Sequence, residues 1–166
     1  MKLILESWRA YLDEVEAFDA ITSSQDEIQQ SLDYFYNEHA PSKGRRKEIG
    51  EWRGYKMVSF MLPQGDIFFF AVDEKDRAKA YVGVTPFRES YAVGNVRKTK
   101  GGGFYTSDLY EWLATKFGSL YSDKAQTEDG MGIWERLPEK EKVETEEDGE
   151  GKWRWRVLSP LKEQNP

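Results

Sequence analysis

Residues 55–73, YKMVSFMLPQGDIFFFAVD, constrain the fold more than any other part of the chain. Apolar positions alternate with period 2 up to Pro63-Gln64-Gly65, a hairpin turn signal, and then run unbroken from Ile67 to Val72. An alternating strand can leave one face in water, but a strand apolar on both faces must be covered on both. The chain therefore needs a sheet with other elements packed on each side. At 166 residues, with 39% apolar and 14% aromatic side chains, it has the material for one such core.

Two more strands are predicted after the turn DEKDR, over residues 80–87 and 91–96, with RES between them. Four strands thus precede the glycines at 101–103. Helical spacing dominates the N-terminal side. Ile4, Trp8, Tyr11, Leu12, Val15 and Phe18 form one apolar stripe, and Ile28, Leu32, Phe35 and Tyr36 a second. Ser24 followed by Glu27 is a capping box for the second helix, and Pro41 is expected to stop it. His39, at that helix end, is suited to the negative end of the helix dipole.

Residues 43–56, KGRRKEIGEWRGYK, hold six basic and two acidic side chains and are expected to be a solvated connector, with an anion contact as the alternative. Beyond the glycines, Leu109, Leu113 and Phe117, with Tyr105 and Trp112, mark a helix. Asp108 followed by Glu111 places its start near residue 108, which would set a carboxylate where an anion would bind. SLYSD, 119–123, is a short strand, and Thr127 caps a helix carrying Met131, Trp134 and Leu137. Residues 139–151 carry seven acids and two lysines and are expected to be a mobile acidic loop. The alternation in KWRWRVL predicts a closing strand over 152–158. Trp134, Trp153 and Trp155 are expected in the core, with a nucleotide platform as the alternative.

The expected fold is α+β, a mixed and mostly antiparallel sheet flanked by helices. Residues 1–41 would be a helical segment packed on a core of residues 42–166, the whole forming one domain. The formal net charge of −6 disfavours a general nucleic-acid binder, whose affinity comes from Lys and Arg on phosphates. An acidic DNA mimic would rest only on that charge and on the acidic run 139–151. The absence of cysteine and the single histidine exclude thiol chemistry and most zinc geometries. No apolar run approaches the ~20 residues that span a bilayer, and the early acids do not suit a secretory signal, so no membrane association is expected.

A strand, basic residues, glycines and a helix, in that order, can hold a phosphate on free backbone N–H groups at the positive end of a helix dipole. Lys98, Gly101 and Gly103 form a K-x-x-G-x-G pattern. With the element order around it, this pattern resembles the core of the GNAT-type acetyltransferases, whose Q/R-x-x-G-x-G/A motif between the fourth strand and the next helix binds the pyrophosphate of acetyl-CoA. The resemblance covers about residues 55–137 and part of the tail, and residues 91–137 look like the C-terminal half of divergent members found in tailed-phage genomes, in which an LxSD strand and an iWxxL helix recur.

The resemblance implies acetyl-CoA as cofactor, bound by Val93, Asn95 and Val96 on the strand and by Lys98, Lys100, Gly101, Gly102, Gly103 and Phe104 in the loop. It also implies an amine attacking the thioester, with Tyr121 as acid and Asp123 as base. Lys98 keeps charge where the family has Arg or Gln but lacks the guanidinium fork.

The opening MKLILESWRAYLDE resembles the N-terminal helices of tailed-phage virion and prohead proteins, in which a leader is cut after an apolar-x-Glu sequence; Leu12-Asp13-Glu14 fits. An ordinary docking helix is the other reading. The expected setting is host cytoplasm or a packaged virion. The expected partners are a small-molecule amine or a host protein, together with virion components. Two functions follow: an acetyl-CoA-dependent N-acyltransferase, or a non-catalytic binding protein of the same fold.

Overall fold

The computed structural model describes residues 24–122, 132–134, 137, 142–147 and 153–159. Eight strands form one sheet: β1 (Arg45–Trp52), β2 (Tyr55–Met61), β3 (Ile67–Val72), β4 (Ala78–Phe87), β5 (Ser90–Lys98), β6 (Leu120–Tyr121), β7 (Lys142–Glu147) and β8 (Trp153–Leu158). Their order across the sheet is β1-β2-β3-β4-β5-β6-β8-β7. Every neighbouring pair is antiparallel except β5 and β6, which run parallel. Before β1 lie α1 (Gln25–Tyr34), a π-helical turn (Phe35–His39) and the short α2 (Ala40–Lys43). Between β5 and β6 lies α3 (Thr106–Phe117). The mixed, mostly antiparallel α+β fold expected from the sequence is the one observed.

Turn chemistry fixes the register of the first five strands. Gly65 at φ +100° closes the β2–β3 turn, where Leu62 donates to the Asp66 carbonyl at 2.8 Å. In the β3–β4 turn the Asp73 carboxylate accepts the backbone N–H groups of Lys75 and Arg77, both at 2.9 Å. Arg88 and Glu89, both with positive φ, make the two-residue β4–β5 turn, and Arg53 and Gly54 do the same between β1 and β2. Left-handed conformation at both central residues matches the twist of paired strands.

The unbroken apolar run of β3 is covered on both faces, as its composition requires. Ile67, Phe69 and Ala71 join Val82, Val93, Leu109, Leu113 and Trp134 in a core beneath α3. Phe70 and Val72 join Val58, Phe60, Tyr81, Leu32, Phe35 and Tyr36 beneath α1 and the π-helical turn. Full burial of one such side chain contributes roughly 1.5–3 kcal/mol.

Several expectations require correction. The connector at 43–56 contains the edge strand β1, so five strands, not four, precede the glycines. Pro41 does not stop the helical segment. The turn before it is π-helical, with Ala40 donating to Phe35, so Pro41 opens a new helical turn where a missing donor is tolerated, and the segment ends at Gly44. Helix α3 starts at Thr106 rather than near 108, because Tyr105 is its N-cap and Asp108 its third residue. The acidic stretch expected as a loop contributes β7, paired antiparallel with β8.

Ser24 does cap α1, accepting the Glu27 N–H at 3.2 Å. Trp134 is a core residue, 5.2 Å from the Tyr110 ring, and no platform. The helix expected from Ile4 to Phe18, the Leu12-Asp13-Glu14 sequence, Thr127 and Met131 lie outside the described residues, as do the side chains of Trp153 and Trp155. Among the described residues no helix is long and apolar enough to cross a membrane, and no group of His, Asp or Glu could hold a metal ion.

Candidate functional site: a glycine loop at the end of β5

Strand β5 positions both halves of the candidate site. Near its start Ala92 pairs with Tyr121, the one parallel pairing of β5 with β6. The Ser90 hydroxyl donates to the Ser119 carbonyl at 2.6 Å and holds β6 there. Two residues on, the register with β4 slips: Gly83 faces Asn95 and Val84 faces Val93, leaving Gly94 as an extra residue. Such a bulge bends and twists its strand. Val93, Asn95 and Val96 follow Ala92 along β5. Tyr121 is half-buried, its ring edge-on to Phe87 at 5.0 Å. Asp123 lies outside the described residues.

About 20 Å further along β5, at ~3.3 Å per residue, the strand ends in the glycine loop. Gly101 and Gly103 both adopt φ +79°, a conformation that other L-residues reach only with strain. At Gly102 space is tight, since a Cβ there would sit 3.1 Å from the Tyr55 hydroxyl. That hydroxyl donates to the Gly102 carbonyl at 2.5 Å and ties the loop to β2. Gln25, the first residue of α1, accepts the Lys100 N–H at 2.7 Å on the opposite side. Phe104 turns into the core, its ring 4.8 Å from Trp52 and 5.3 Å from Tyr55. Tyr105 is 72% exposed.

The N–H groups of Gly101, Gly102, Gly103 and Phe104 have no hydrogen-bond partner among the described residues, and they lie just before the positive end of α3. Two charged groups adjoin them. Lys98 lies over the Phe104 ring at 4.9 Å and donates to the Thr99 carbonyl at 2.8 Å. Burial lowers its pKa from the ordinary lysine value, and Asp108 pulls weakly the other way. Asp108 accepts the Tyr105 N–H at 2.7 Å and pairs with Arg53 at 3.3 Å. A carboxylate is thus already seated in the first turn of α3.

Beside the loop an open groove of about 580 Å³ runs between α1, the β3–β4 turn and Thr99 to Gly102. Its polar walls are largely engaged with one another. Gln29 donates to the Ala78 carbonyl and accepts from Lys79, and Lys79 lies 3.9 Å from Asp73.

The structure therefore brings the predicted loop residues together at one end of β5, with Val93, Asn95 and Val96 along the strand and Tyr121 paired beside Ala92 near its start. Sequence reading missed Tyr55, Gln25 and Arg53, which clamp the loop from 47, 75 and 55 residues away along the chain from their partners. No local pattern signals contacts of that range.

No family profile matches the chain, and no curated protein matches it. Among solved structures, a chimera of the spermidine N-acetyltransferase SpeG from Vibrio cholerae and hSSAT is similar with a TM-score of 0.35 and 12% identity. The match covers 57% of this chain and 65% of that one, less than two thirds of its length. A likeness at this score carries no argument about activity.

Proposed function

We propose that the chain is a GNAT-like N-acyltransferase that takes an acetyl group from acetyl-CoA and places it on an amine. The observation that carries this reading is a glycine loop at a helix N-terminus, whose amides have no partner among the described residues, at the end of the strand that pairs with Tyr121 about 20 Å away. An extended pantetheine arm covers such a span.

Acetyl-CoA, when bound, supplies an activated thioester. The amides of Gly101 to Phe104, with Lys100, would hold its pyrophosphate, and the polar backbone of β5 at Val93, Asn95 and Val96 would align its amide-bearing arm. In the transfer, the amine nitrogen bonds to the acyl carbon as the carbon–sulfur bond breaks. Tyr121, on β6 beside Ala92, would give the leaving thiolate its proton, and Asp123 would take the proton the amine loses. The acceptor class is a small-molecule amine or a lysine of a host protein. The resemblance of the first residues to tailed-phage virion proteins supports a setting in host cytoplasm or the virion.

The Asp108 carboxylate and the capture of the Lys100 N–H by Gln25 favour a second reading, a non-catalytic binding protein that has lost the cofactor. Calorimetric titration with acetyl-CoA separates the two, with Gly103→Glu as control. Saturable binding lost in the variant supports the enzyme. No heat at millimolar ligand supports the binding protein.

A further inference from the structure

The two outer strands of the sheet carry clustered charge of opposite sign, basic in the first half of β1 and acidic in the second half of β7. Strand β1 is first in the order and bonds only to β2; β7 is last and bonds only to β8. Among the described residues neither has a partner on its outer side. Arg45, Arg46 and Lys47 stand in the regular half of β1, where all residues from Arg45 to Glu48 are exposed. The bulge at Gly50, with φ +132°, comes only after them. Strand β7 carries Glu144, Glu146 and Glu147 within the most acidic stretch of the chain.

A sheet edge presents unpaired N–H and C=O groups and is a template for a further strand. Charge of one sign on every edge repels such pairing. Here the basic first half of β1, in which Arg46 pairs with Glu48 at 3.3 Å, and the acidic second half of β7 attract each other. They cannot meet within one chain, because seven strand spacings of about 4.8 Å, roughly 34 Å, separate them.

We propose that copies of this chain join edge to edge, β1 of one against β7 of the next. Such a contact is heterologous. A pairing of β7 with β7 would set glutamates opposite one another, whereas a two-fold pairing of β1 with β1 could set Arg45 or Arg46 against Glu51 and would stop at two copies. In the β1-to-β7 contact each added copy leaves one basic and one acidic edge free at the ends, so assembly grows with concentration and has no fixed endpoint. The attraction is electrostatic and is screened by salt.

Sedimentation velocity of the full chain tests this, over micromolar to near-millimolar protein at about 0.05 M and about 1 M salt, where the Debye length falls to roughly 3 Å. The expected result is an average mass that at least doubles with concentration at low salt and returns to one chain at high salt. The variant Arg45→Glu/Arg46→Glu/Lys47→Glu, with wild-type circular dichroism, should stay at one chain. Added to wild type it should shorten the assemblies, since its acidic β7 can still occupy a wild-type β1 while its own β1 accepts nothing. Glu144→Lys/Glu146→Lys/Glu147→Lys should also stay single alone, and the two variants mixed should assemble again. A wild-type chain that remains single throughout, an assembly that stops at two copies whatever its salt dependence, or undiminished assembly by the β1 variant would each overturn the proposal.

Discussion

Asp108 accepts the backbone N–H of Tyr105 at 2.7 Å, so the first turn of α3 carries its own anion where a phosphate would bind. The same oxygen lies 3.3 Å from Arg53, which neutralises part of that charge. The two roles of Asp108 pull in opposite directions. Asp108→Ala should lower stability by about 1 kcal/mol, the scale of a lost helix cap, and tighten acetyl-CoA binding severalfold. Urea denaturation and calorimetry on one sample read both. Affinity that falls together with stability would mean that Asp108 builds the cradle rather than competing for it.

Tyr55→Phe removes the hydroxyl that Gly102 accepts and leaves the ring against Phe104. The expected loss is about 1 kcal/mol, a typical net hydrogen bond, in urea denaturation. If the loop holds the cofactor, its dissociation constant rises as well. A stability loss with unchanged acetyl-CoA affinity would place the cofactor elsewhere.

Gly101 and Gly102 should fail for different reasons. No atom lies within 4 Å of a Cβ built on Gly101, so Gly101→Ala suffers only from its φ of +79°, at about 1–2 kcal/mol. Asparagine tolerates that conformation better, so melting temperatures should rank glycine, then asparagine, then alanine. Gly102→Ala meets the Tyr55 hydroxyl, and combining it with Tyr55→Phe should restore part of the loss. Equal behaviour of Gly101→Asn and Gly101→Ala would show that the backbone angle is not what requires glycine.

Strands β2 to β5 were legible because their apolar pattern and their turn residues agree, and α1 because Ser24 and Glu27 mark its start. The edges were not. In β1, Arg45 to Glu48 are exposed on both faces, so alternation, the sign of a half-buried strand, is missing. What makes them a strand is pairing with β2 across Arg53-Gly54, a turn that becomes visible only in the positive φ of both residues. Strand β7 is hidden in the same way by its run of acids. The glycine loop was legible as a motif, but its clamps were not, because Tyr55 and Gln25 reach it from distant strands and helices.

His39 offers a pH test independent of the loop, since it is the sole histidine. It packs against Phe35 and Phe68, with ring centroids 5.3 and 5.9 Å away. Burial first, and the nearby Lys43 second, lower its pKa from 6.5. The unfolded chain therefore takes up the histidine proton at a higher pH than the folded one. Between 6.5 and the lower folded value the unfolded state holds more protons, so the stability contributed by neutral His39 is lost as pH falls through that window. A proton NMR titration should place its midpoint below that of a free histidine, and Lys43→Gln should move it partway back up. A midpoint at or above the free value would mean that the ring is more hydrated than its packing on Phe35 and Phe68 allows.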